Sequence, residues 1–440
     1  MNDGLRFTRR GLLKGAAAAA VGPYFLTSSA LGAANRPAAS NRITMGAIGI
    51  GGMGSGDLNG FLGITDVQVL AVCDVDKDHR DKAKQRVDTR YANTDCKALA
   101  DFREVVARKD LDSVMIATPD HWHAIPVIAA ARAGKDIHCQ KPLSLTIREG
   151  RAMSDACRKY GVVFQTGSQQ RSDNKFRFAC ELVRNGRIGK LQTMEVGLPT
   201  GHFGKMDPTM PVPDGFDYDF WLGQAPWSPY TRVRCHGSFR WFLDYSGGQV
   251  TDWGAHHCDI AQWGNGTSYS GPVEIEGKGV FPTDGLYDTA VNYRFECLYR
   301  NGARMIVADG ATYPNGVKFI GSEGWVFVSR GRIDSEPKSL LSSVIGPDEI
   351  HLYESRDHKG NFIDCIKSRG ETVAPIENAH RSVSIAHLGN LAMRLGRKLK
   401  WNPDTEHFEG DPARPALRPG GASPEAERML SRAMRAPWHL

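Results

Sequence analysis

The 440-residue sequence has no closely spaced cysteine pairs, no run of like charges and only one long apolar stretch, which lies at its N-terminus. Its nine cysteines are an odd number, and no two have Cys-x-x-Cys spacing, which argues against a disulfide framework or a zinc site. Lys and Arg are dispersed and the net charge is only +6, so no nucleic-acid or membrane-binding surface is indicated.

The overall composition is that of a soluble globular protein. Hydrophobic residues make up 41% and charged residues 24%, enough apolar material for a sizeable core. A chain of this length is expected to form two or three domains.

The N-terminus has the pattern of an export signal. Arg9 and Arg10 precede an apolar stretch over residues 15–31, and small residues follow at 32–34. This pattern predicts a twin-arginine signal peptide over residues 1–34 and a periplasmic or extracytoplasmic location, with no membrane span after cleavage. Twin-arginine export carries folded proteins, which is compatible with free cysteines. A basic helix or an uncleaved anchor is the alternative.

A dinucleotide-binding pattern follows the leader. Residues 43–50 predict a buried strand that runs into Gly49-Ile50-Gly51-Gly52-Met53-Gly54, and a helix is expected after it. A second strand over residues 67–73 ends at Asp74, 20 residues beyond Gly54, where an acid binds the adenosine ribose. Because a carboxylate repels a 2′-phosphate, NAD is favoured. NADP is the alternative, with Lys77 and Arg80 as compensating cations.

Strand-like and helix-like segments then alternate to the end of a first domain, which we place at residues 41–166. Helices are expected over residues 77–91, 98–109, 124–133 and 148–160, with strands at 113–117, 136–140 and 162–165. This alternation predicts a parallel, doubly wound sheet that binds ligands at the carboxyl ends of its strands. The loop at 118–123 and the segment 140–142 would share that edge with the glycine-rich turn.

Residues 167–400 are predicted to form a second α/β domain, and residues 401–440 a surface tail. Strand-like runs at 191–196, 273–281, 288–297, 303–309, 316–321 and 324–328 indicate a mixed or antiparallel sheet. Residues 199–237 are rich in Pro, Gly and aromatics, and they predict a long ordered loop lining a site.

A carboxylate and an imidazole lie one helical turn apart in the second domain. Asp252 and His256 are spaced i, i+4, so the acid can orient the imidazole of a general base. A capping acid beside a structural histidine is the alternative. His257 and Asp259 extend the set to a metal-binding alternative, which we do not favour because hydride transfer needs no metal.

Lys141 ends the strand at 136–140 and is followed by Pro142. A lysine at the binding edge of a dinucleotide sheet is placed to exchange protons. A solvated surface lysine is the alternative. Arg240 and Trp241 are candidates for hydrogen bonds and stacking against a sugar, with ordinary packing as the alternative.

Taken together, these motifs resemble the Gfo/Idh/MocA oxidoreductase family, over nearly all of the mature chain. The resemblance implies a Rossmann domain, a C-terminal α/β domain with a large, mostly antiparallel open sheet, and homo-oligomers. It also implies NAD(P)-dependent chemistry on a sugar, glycoside or polyol. The family's Glu-Lys-Pro lysine maps onto Lys141 and its Asp-x-x-x-His pair onto Asp252 and His256. Gln140 stands in place of the family glutamate, so the residue beside Lys141 carries no charge.

We therefore predict an exported oxidoreductase that transfers hydride between a carbohydrate carbon and a tightly bound nicotinamide cofactor. A redox-neutral glycosidase, lyase or epimerase acting through a keto-sugar, and a non-catalytic sugar-binding protein, are the alternatives. The predicted catalytic residues are Lys141, Asp252 and His256, with no metal. The predicted cofactor contacts are Gly49, Gly51, Gly52, Met53, Gly54, Asp74, Thr118, Pro119, Asp120, His123 and Gln140. The predicted substrate contacts are His257, Arg240, Trp241 and Arg171.

Overall fold

The structure is a computed structural model that describes residues 37–204, 206–410 and 424–440. The predicted signal peptide over residues 1–34 lies outside the described residues. Met1–Arg42 and Ile43–Leu440 form separate units, and in the first of these a short 3₁₀ turn spans Ala39–Asn41. All that follows concerns the second unit. Within the described residues, no helix has both the length and the apolar character that crossing a membrane requires.

A six-stranded parallel sheet confirms the predicted Rossmann-type fold. Its order is β3-β2-β1-β4-β5-β6, with a crossover between the halves at β1 and β4. Its strands are β1 (Ile43–Ile48), β2 (Val67–Cys73), β3 (Lys97–Leu99), β4 (Ser113–Ile116), β5 (Asp136–Cys139) and β6 (Phe164–Thr166).

Five helices connect these strands or follow them. They are α1 (Gly52–Leu62), α2 (Lys77–Tyr91), α3 (Phe102–Ala107), α4 (Ala124–Arg132) and α5 (Ile147–Tyr160). The sequence pattern predicted one helix over residues 98–109, but the structure has β3 followed by α3. Asp101 accounts for the difference, because its side chain accepts a hydrogen bond from the Arg103 amide and begins the helix there.

The second sheet has nine strands in the order β13-β12-β11-β7-β10-β9-β8-β14-β15 and is mostly antiparallel, as predicted. Among the described strands of this second sheet, only β7 and β10 pair in parallel. The strands are β7 (Leu191–Gly197), β8 (Glu274–Val280), β9 (Asn292–Leu298), β10 (Arg304–Ala308), β11 (Gly316–Gly321), β12 (Trp325–Ser329), β13 (Arg332–Glu336), β14 (Leu399–Asn402) and β15 (His407–Phe408).

Helices of the second half pack on the second sheet and also contact the Rossmann half. They are α6 (Asn174–Arg184), α7 (Tyr218–Leu222), α8 (Gln249–Asp252), α9 (Gly254–Asn265), α10 (His358–Ser368), α11 (Ile376–Leu395) and α12 (Pro424–Arg428). Apolar residues of α6, α9 and α11 pack on the second sheet, whereas Phe362 of α10 packs against Phe61 of α1.

The C-terminal residues differ from a simple surface tail. Trp401 of β14 and Phe408 of β15 are buried, and their rings pack against each other. Farther on, the Trp438 ring packs on those of Trp122 and Phe220. Aromatic side chains give this segment enough apolar surface to dock.

Candidate active site

The glycine-rich turn forms a cradle at the start of α1. Gly49 has φ +80°, and a Cβ on Gly54 would lie 1.9 Å from the Gly49 carbonyl oxygen, so neither position admits a side chain. A Cβ on Gly52 would meet open space. No side chain caps the helix, which leaves its first N–H groups available to an anion.

Asp74 follows β2 and closes the adenosine side of this cradle. Its carboxylate accepts hydrogen bonds from the amides of Ile50 at 2.7 Å and Asp76 at 2.9 Å. The imidazole of His79 lies 3.6 Å away, and this contact with the Asp74 carboxylate is the main reason that the pKa of His79 is raised. Asp74 is thus held rigidly at the position of a ribose-binding acid.

The cations proposed to accommodate a 2′-phosphate are engaged elsewhere. Arg80 donates to the main-chain oxygen of Asp74 at 2.7 Å, and Lys77 forms an exposed ion pair with Asp81. Neither of these two cations lines the cleft, whereas Asp74 does, and this arrangement suits NAD.

The loop after β4 is fixed to the Lys141 segment by His123. The two imidazole nitrogens of His123 lie 2.7 Å from the Pro142 carbonyl oxygen and 2.9 Å from that of Thr118. Burial lowers the pKa of His123. Asp120 is also buried and accepts a hydrogen bond from Ser246 at 2.5 Å, and burial raises the pKa of its carboxyl group.

Lys141 forms an ion pair with Asp252. Its Nζ lies 2.5 Å from Asp252 Oδ1 and 3.2 Å from the Asp252 main-chain oxygen. Arg240 Nε donates to the same carboxylate oxygen at 3.2 Å. Burial raises the pKa of Asp252, but the two cations outweigh burial, so the net effect is a lowered pKa. The carboxylate therefore stays charged near neutral pH.

His256 is close to this ion pair without being bonded to Asp252. The helix is interrupted at Trp253, between α8 and α9, so Asp252 and His256 do not share one continuous helical face. Among the described residues, the hydrogen-bond partners of the Asp252 side chain are Lys141 and Arg240.

His256 is a buried, neutral imidazole. No described residue is a hydrogen-bond partner of its Nδ1. Burial and the nearby Lys141 and Arg330 cations lower its pKa well below the usual value. A neutral imidazole can accept a proton, which is the chemistry required of a base.

Two cavities meet at this point. The first is a cleft lined by the glycine turn, Asp74, the Thr118 loop and Gln140. The second, of about 720 Å³, contains Asp252 and His256. Both cavities are lined by Met53, Lys141 and Arg240. A cofactor in the first and a substrate in the second would therefore meet at Lys141.

The first cleft fits a dinucleotide. The uncapped α1 N-terminus suits a pyrophosphate, and Asp74 suits a ribose diol. The buried Oγ1 of Thr118 has no hydrogen-bond partner among the described residues. Of the predicted cofactor contacts, those lining this cleft are Gly49, Gly51, Gly52, Met53, Asp74, Thr118, Pro119, Asp120 and Gln140. The other two predicted cofactor contacts, Gly54 and His123, are not among the residues that line this cleft.

Three predicted substrate residues lie outside the lining of the second cavity. Arg171 is buried and paired with Asp259 at 2.6 and 2.8 Å. His257 Nδ1 lies 3.0 Å from a main-chain oxygen, and the Trp241 ring packs on that of His202. Arg240 alone of the four lines the second cavity.

The sequence analysis missed several lining residues. Those of the second cavity are Gln169, Gln170, Asp173, Phe176, Trp253 and Arg330, and those of the first include His79, Phe216, Phe220, Trp221, His236 and Phe239. They come from separate segments, and no local motif marks them. The sequence analysis did predict that the aromatic-rich loop over residues 199–237 lines a site, and Phe216, Phe220, Trp221 and His236 belong to that loop.

The alternative metal ligands named above, Asp252, His256, His257 and Asp259, do not form a group of three with ligand atoms close to one another. Among the described residues, the one group of three such side chains with ligand atoms within 4.8 Å is Asp76, His79 and His236. It lies at the adenosine end of the cleft, away from Lys141 and His256.

The sheet, cradle and acid define a dinucleotide-binding oxidoreductase. Residues 43–168 match the model described as oxidoreductase family, NAD-binding Rossmann fold, and residues 200–440 match the model described as oxidoreductase family, C-terminal alpha/beta domain. The chain belongs to the Gfo/Idh/MocA oxidoreductase family and is an NAD-dependent enzyme.

Similar proteins extend over most of the chain. The myo-inositol 2-dehydrogenase of Thermotoga maritima is 26% identical over 366 residues, which are 81% of this chain and 95% of that protein. The WlbA dehydrogenase of Bordetella pertussis, solved with NADH and UDP-GlcNAcA, has a TM-score of 0.61 and 18% identity over 82% of this chain and 98% of its own. The scyllo-inositol dehydrogenase of Lactobacillus casei was solved with NAD(H) and scyllo-inositol. It has a TM-score of 0.56 and 18% identity over 82% of this chain and 99% of its own.

Proposed function

We propose that this chain is an exported oxidoreductase that transfers hydride between a carbon of a sugar, glycoside or polyol and a tightly held NAD. The observation that carries the proposal is the Lys141–Asp252 ion pair, which lies where the cofactor cleft meets the cavity containing His256. Inositol dehydrogenases among the similar proteins support a polyhydroxylated substrate.

His256 is the proposed proton acceptor. Its lowered pKa keeps the imidazole neutral at the pH of the periplasm, so it can take the proton of a substrate hydroxyl. Lys141, held by Asp252, donates a hydrogen bond to the same oxygen and stabilises negative charge as it develops. Bound NAD supplies a hydride acceptor.

Tight retention of the cofactor is supported by a segment that roofs the cleft. Residues 213–241 belong to the second half of the chain, yet Phe216, Phe220 and Phe239 line the cleft. The Asp217 amide donates to the Val75 carbonyl oxygen at 3.1 Å, and the Lys77 amide donates to that of Gly215 at 2.9 Å.

The roof is also attached near its centre. The indole N–H of Trp122 donates to the Trp221 carbonyl oxygen at 2.8 Å. Arg435 donates to the Gly223 carbonyl oxygen from the other side. We propose that release of the cofactor requires these contacts to open, which suits an enzyme working where no nicotinamide pool exists.

Export is supported by the twin arginines at 9 and 10 and the apolar stretch after them. It is also compatible with the nine cysteines, all of which are free and buried, as expected of a protein folded in a reducing compartment. A homo-oligomer is part of the same proposal, supported by the open second sheet.

The test is a panel of sugars, polyols and aryl glycosides added to the purified exported protein. Denaturation should release NAD, and an accepted substrate should produce the reduced-nicotinamide absorbance band. Lys159→Ala, at an exposed position of α5, is the matched control for Lys141→Ala. Absence of any bound or bindable nicotinamide would remove the proposal.

A redox-neutral reaction through a keto-sugar is the second candidate. A roofed cleft favours it, because a cofactor restored within each turnover need not leave. A 2,7-anhydro-N-acetylneuraminate hydratase of Mediterraneibacter gnavus is 34% identical over 97 residues, which are 22% of this chain and 26% of that protein. Release of aglycone without a lasting reduced-nicotinamide band would favour this candidate. A non-catalytic sugar-binding protein is disfavoured by the intact Lys141, Asp252 and His256.

A further inference from the structure

A buried carboxylate lies directly behind the residue that precedes Lys141. Asp57, in the middle of α1, is 2% exposed. Its Oδ2 accepts a hydrogen bond from Gln140 Nε2 at 2.6 Å, and its Oδ1 lies 3.0 Å from the Nζ of Lys359. The carboxylate therefore has a neutral amide on one oxygen and a cation on the other.

This contact fixes which end of the Gln140 amide faces which way. A carboxylate only accepts hydrogen bonds, so the Gln140 atom beside Asp57 has to be the NH₂ group. The carbonyl oxygen then points to the other side, where it accepts a hydrogen bond from the Lys141 amide at 3.3 Å and keeps a second lone pair for another donor.

Packing holds the amide in place. A Cβ on Gly167 would lie 2.6 to 2.8 Å from the three terminal atoms of the Gln140 side chain. Gln140 is 3% exposed and lines the cofactor cleft next to Lys141. The side chain therefore presents one fixed acceptor, its Oε1, at the Lys141 end of the cleft.

We propose that Asp57 is a positioning residue that holds Gln140 with its carbonyl oxygen available to an amide N–H donor, the carboxamide of the nicotinamide. The negative charge at this place lies on Asp57, behind the neutral Gln140, and Lys359 compensates it. The proposal concerns cofactor contact and does not depend on which sugar is oxidised.

Binding of NAD and of ADP-ribose to charcoal-treated protein, measured by calorimetry, tests this assignment. ADP-ribose lacks the nicotinamide but fills the rest of the cleft. Asp57→Asn and Gln140→Met should each weaken NAD binding about 3- to 10-fold, the loss of one hydrogen bond, and leave ADP-ribose binding unchanged. Equal weakening of both ligands, or no change in NAD binding, would overturn the assignment.

The matched control exchanges the carboxylate and the amide between positions 57 and 140. Gln140→Glu alone places two carboxylates in contact and should weaken NAD binding at least about 10-fold, because like charges repel in a buried site. Gln140→Glu with Asp57→Asn restores a donor facing a carboxylate, so its NAD affinity should return to within about 3-fold of the original. A double variant no better than Gln140→Glu would contradict the proposal, whereas NAD-dependent activity itself would survive that result.

Discussion

Lys141 Nζ lies 2.5 Å from Asp252 Oδ1, and this contact joins the end of a Rossmann strand to a helix of the second half of the chain. Both side chains are largely buried. Removing one partner of such a pair leaves the other charge uncompensated. The pair therefore lies where the cleft beside the glycine turn meets the cavity that contains His256.

Lys141→Ala should lower kcat by about 10²- to 10³-fold, the usual loss when one hydrogen-bond donor to a developing negative charge is removed. The cofactor should stay bound, because the glycine turn and Asp74 remain intact. The measurement is turnover together with nucleotide released on denaturation, with Lys159→Ala as control. Near-normal turnover would remove Lys141 from the reaction.

Asp252→Asn should lower turnover because Lys141 loses the carboxylate that holds it. The effect should not arise at His256, since the carboxylate contacts Lys141 and Arg240. Asparagine keeps the shape of the side chain but loses the charge that holds the Lys141 ammonium in place, so kcat should fall about 10- to 100-fold while bound NAD is retained. Turnover equal to that of the unaltered enzyme would contradict a role for Asp252 in positioning Lys141. Asp155→Asn, at an exposed carboxylate of α5, is the control.

His256→Ala should lower kcat with little effect on NAD binding. In the unaltered enzyme the acidic limb of the kcat profile should lie below pH 6.5, because the lowered pKa keeps the imidazole unprotonated to lower pH. Measuring kcat against pH in both proteins checks this assignment. An acidic limb above that value, or the same limb in His256→Ala, would assign the limb to another group.

Mild acid should destabilise the fold, because several buried histidines resist protonation. Burial lowers the pKa of five histidines to about 3 or 4: His121, His138, His257, His358 and His387. Between those values and 6.5 the unfolded chain binds protons that the folded chain excludes. Their contribution to stability is complete above pH 6.5 and is lost as the pH falls, at about 1.4 kcal/mol per pH unit for each histidine.

Glu149 acts in the opposite sense over part of this range, because burial raises its pKa to about 7 and the folded state binds its proton first. The effect of five histidines is larger than that of one glutamate, so the free energy of unfolding still rises with pH between about pH 5 and pH 7. Urea unfolding at about pH 7 and about pH 5 should show the lower free energy of unfolding at pH 5. Equal stability at both values would contradict the neutral, buried state of these histidines.

Local patterns predicted the Rossmann half well because each signal is short-range. The glycine turn needs residues without a Cβ, and Asp74 follows its strand at a fixed separation. The split between β3 and α3 was missed because one capping side chain, Asp101, decides it. The second sheet was recognised by its apolar runs, but its strand order arises from long-range pairing.

The site was predictable only where chemistry follows a motif. Lys141 was predicted from its place at a strand end and Asp252 and His256 from their spacing, in agreement with the family resemblance, and the structure brings all three together around two adjoining cavities. Arg171 was predicted to contact substrate, but it forms a buried ion pair with Asp259. Burial and pairing of that kind depend on the tertiary fold and leave no trace in residue spacing.

The most direct test of the account is to add an accepted glycoside to the exported enzyme as purified and then separate protein from small molecules by gel filtration. The account predicts a stoichiometric reduced-nicotinamide band that travels with the protein, and no such band in Lys141→Ala although its NAD is retained. A band that elutes with the small molecules, or its full formation in Lys141→Ala, would contradict hydride transfer to a captive cofactor through this site.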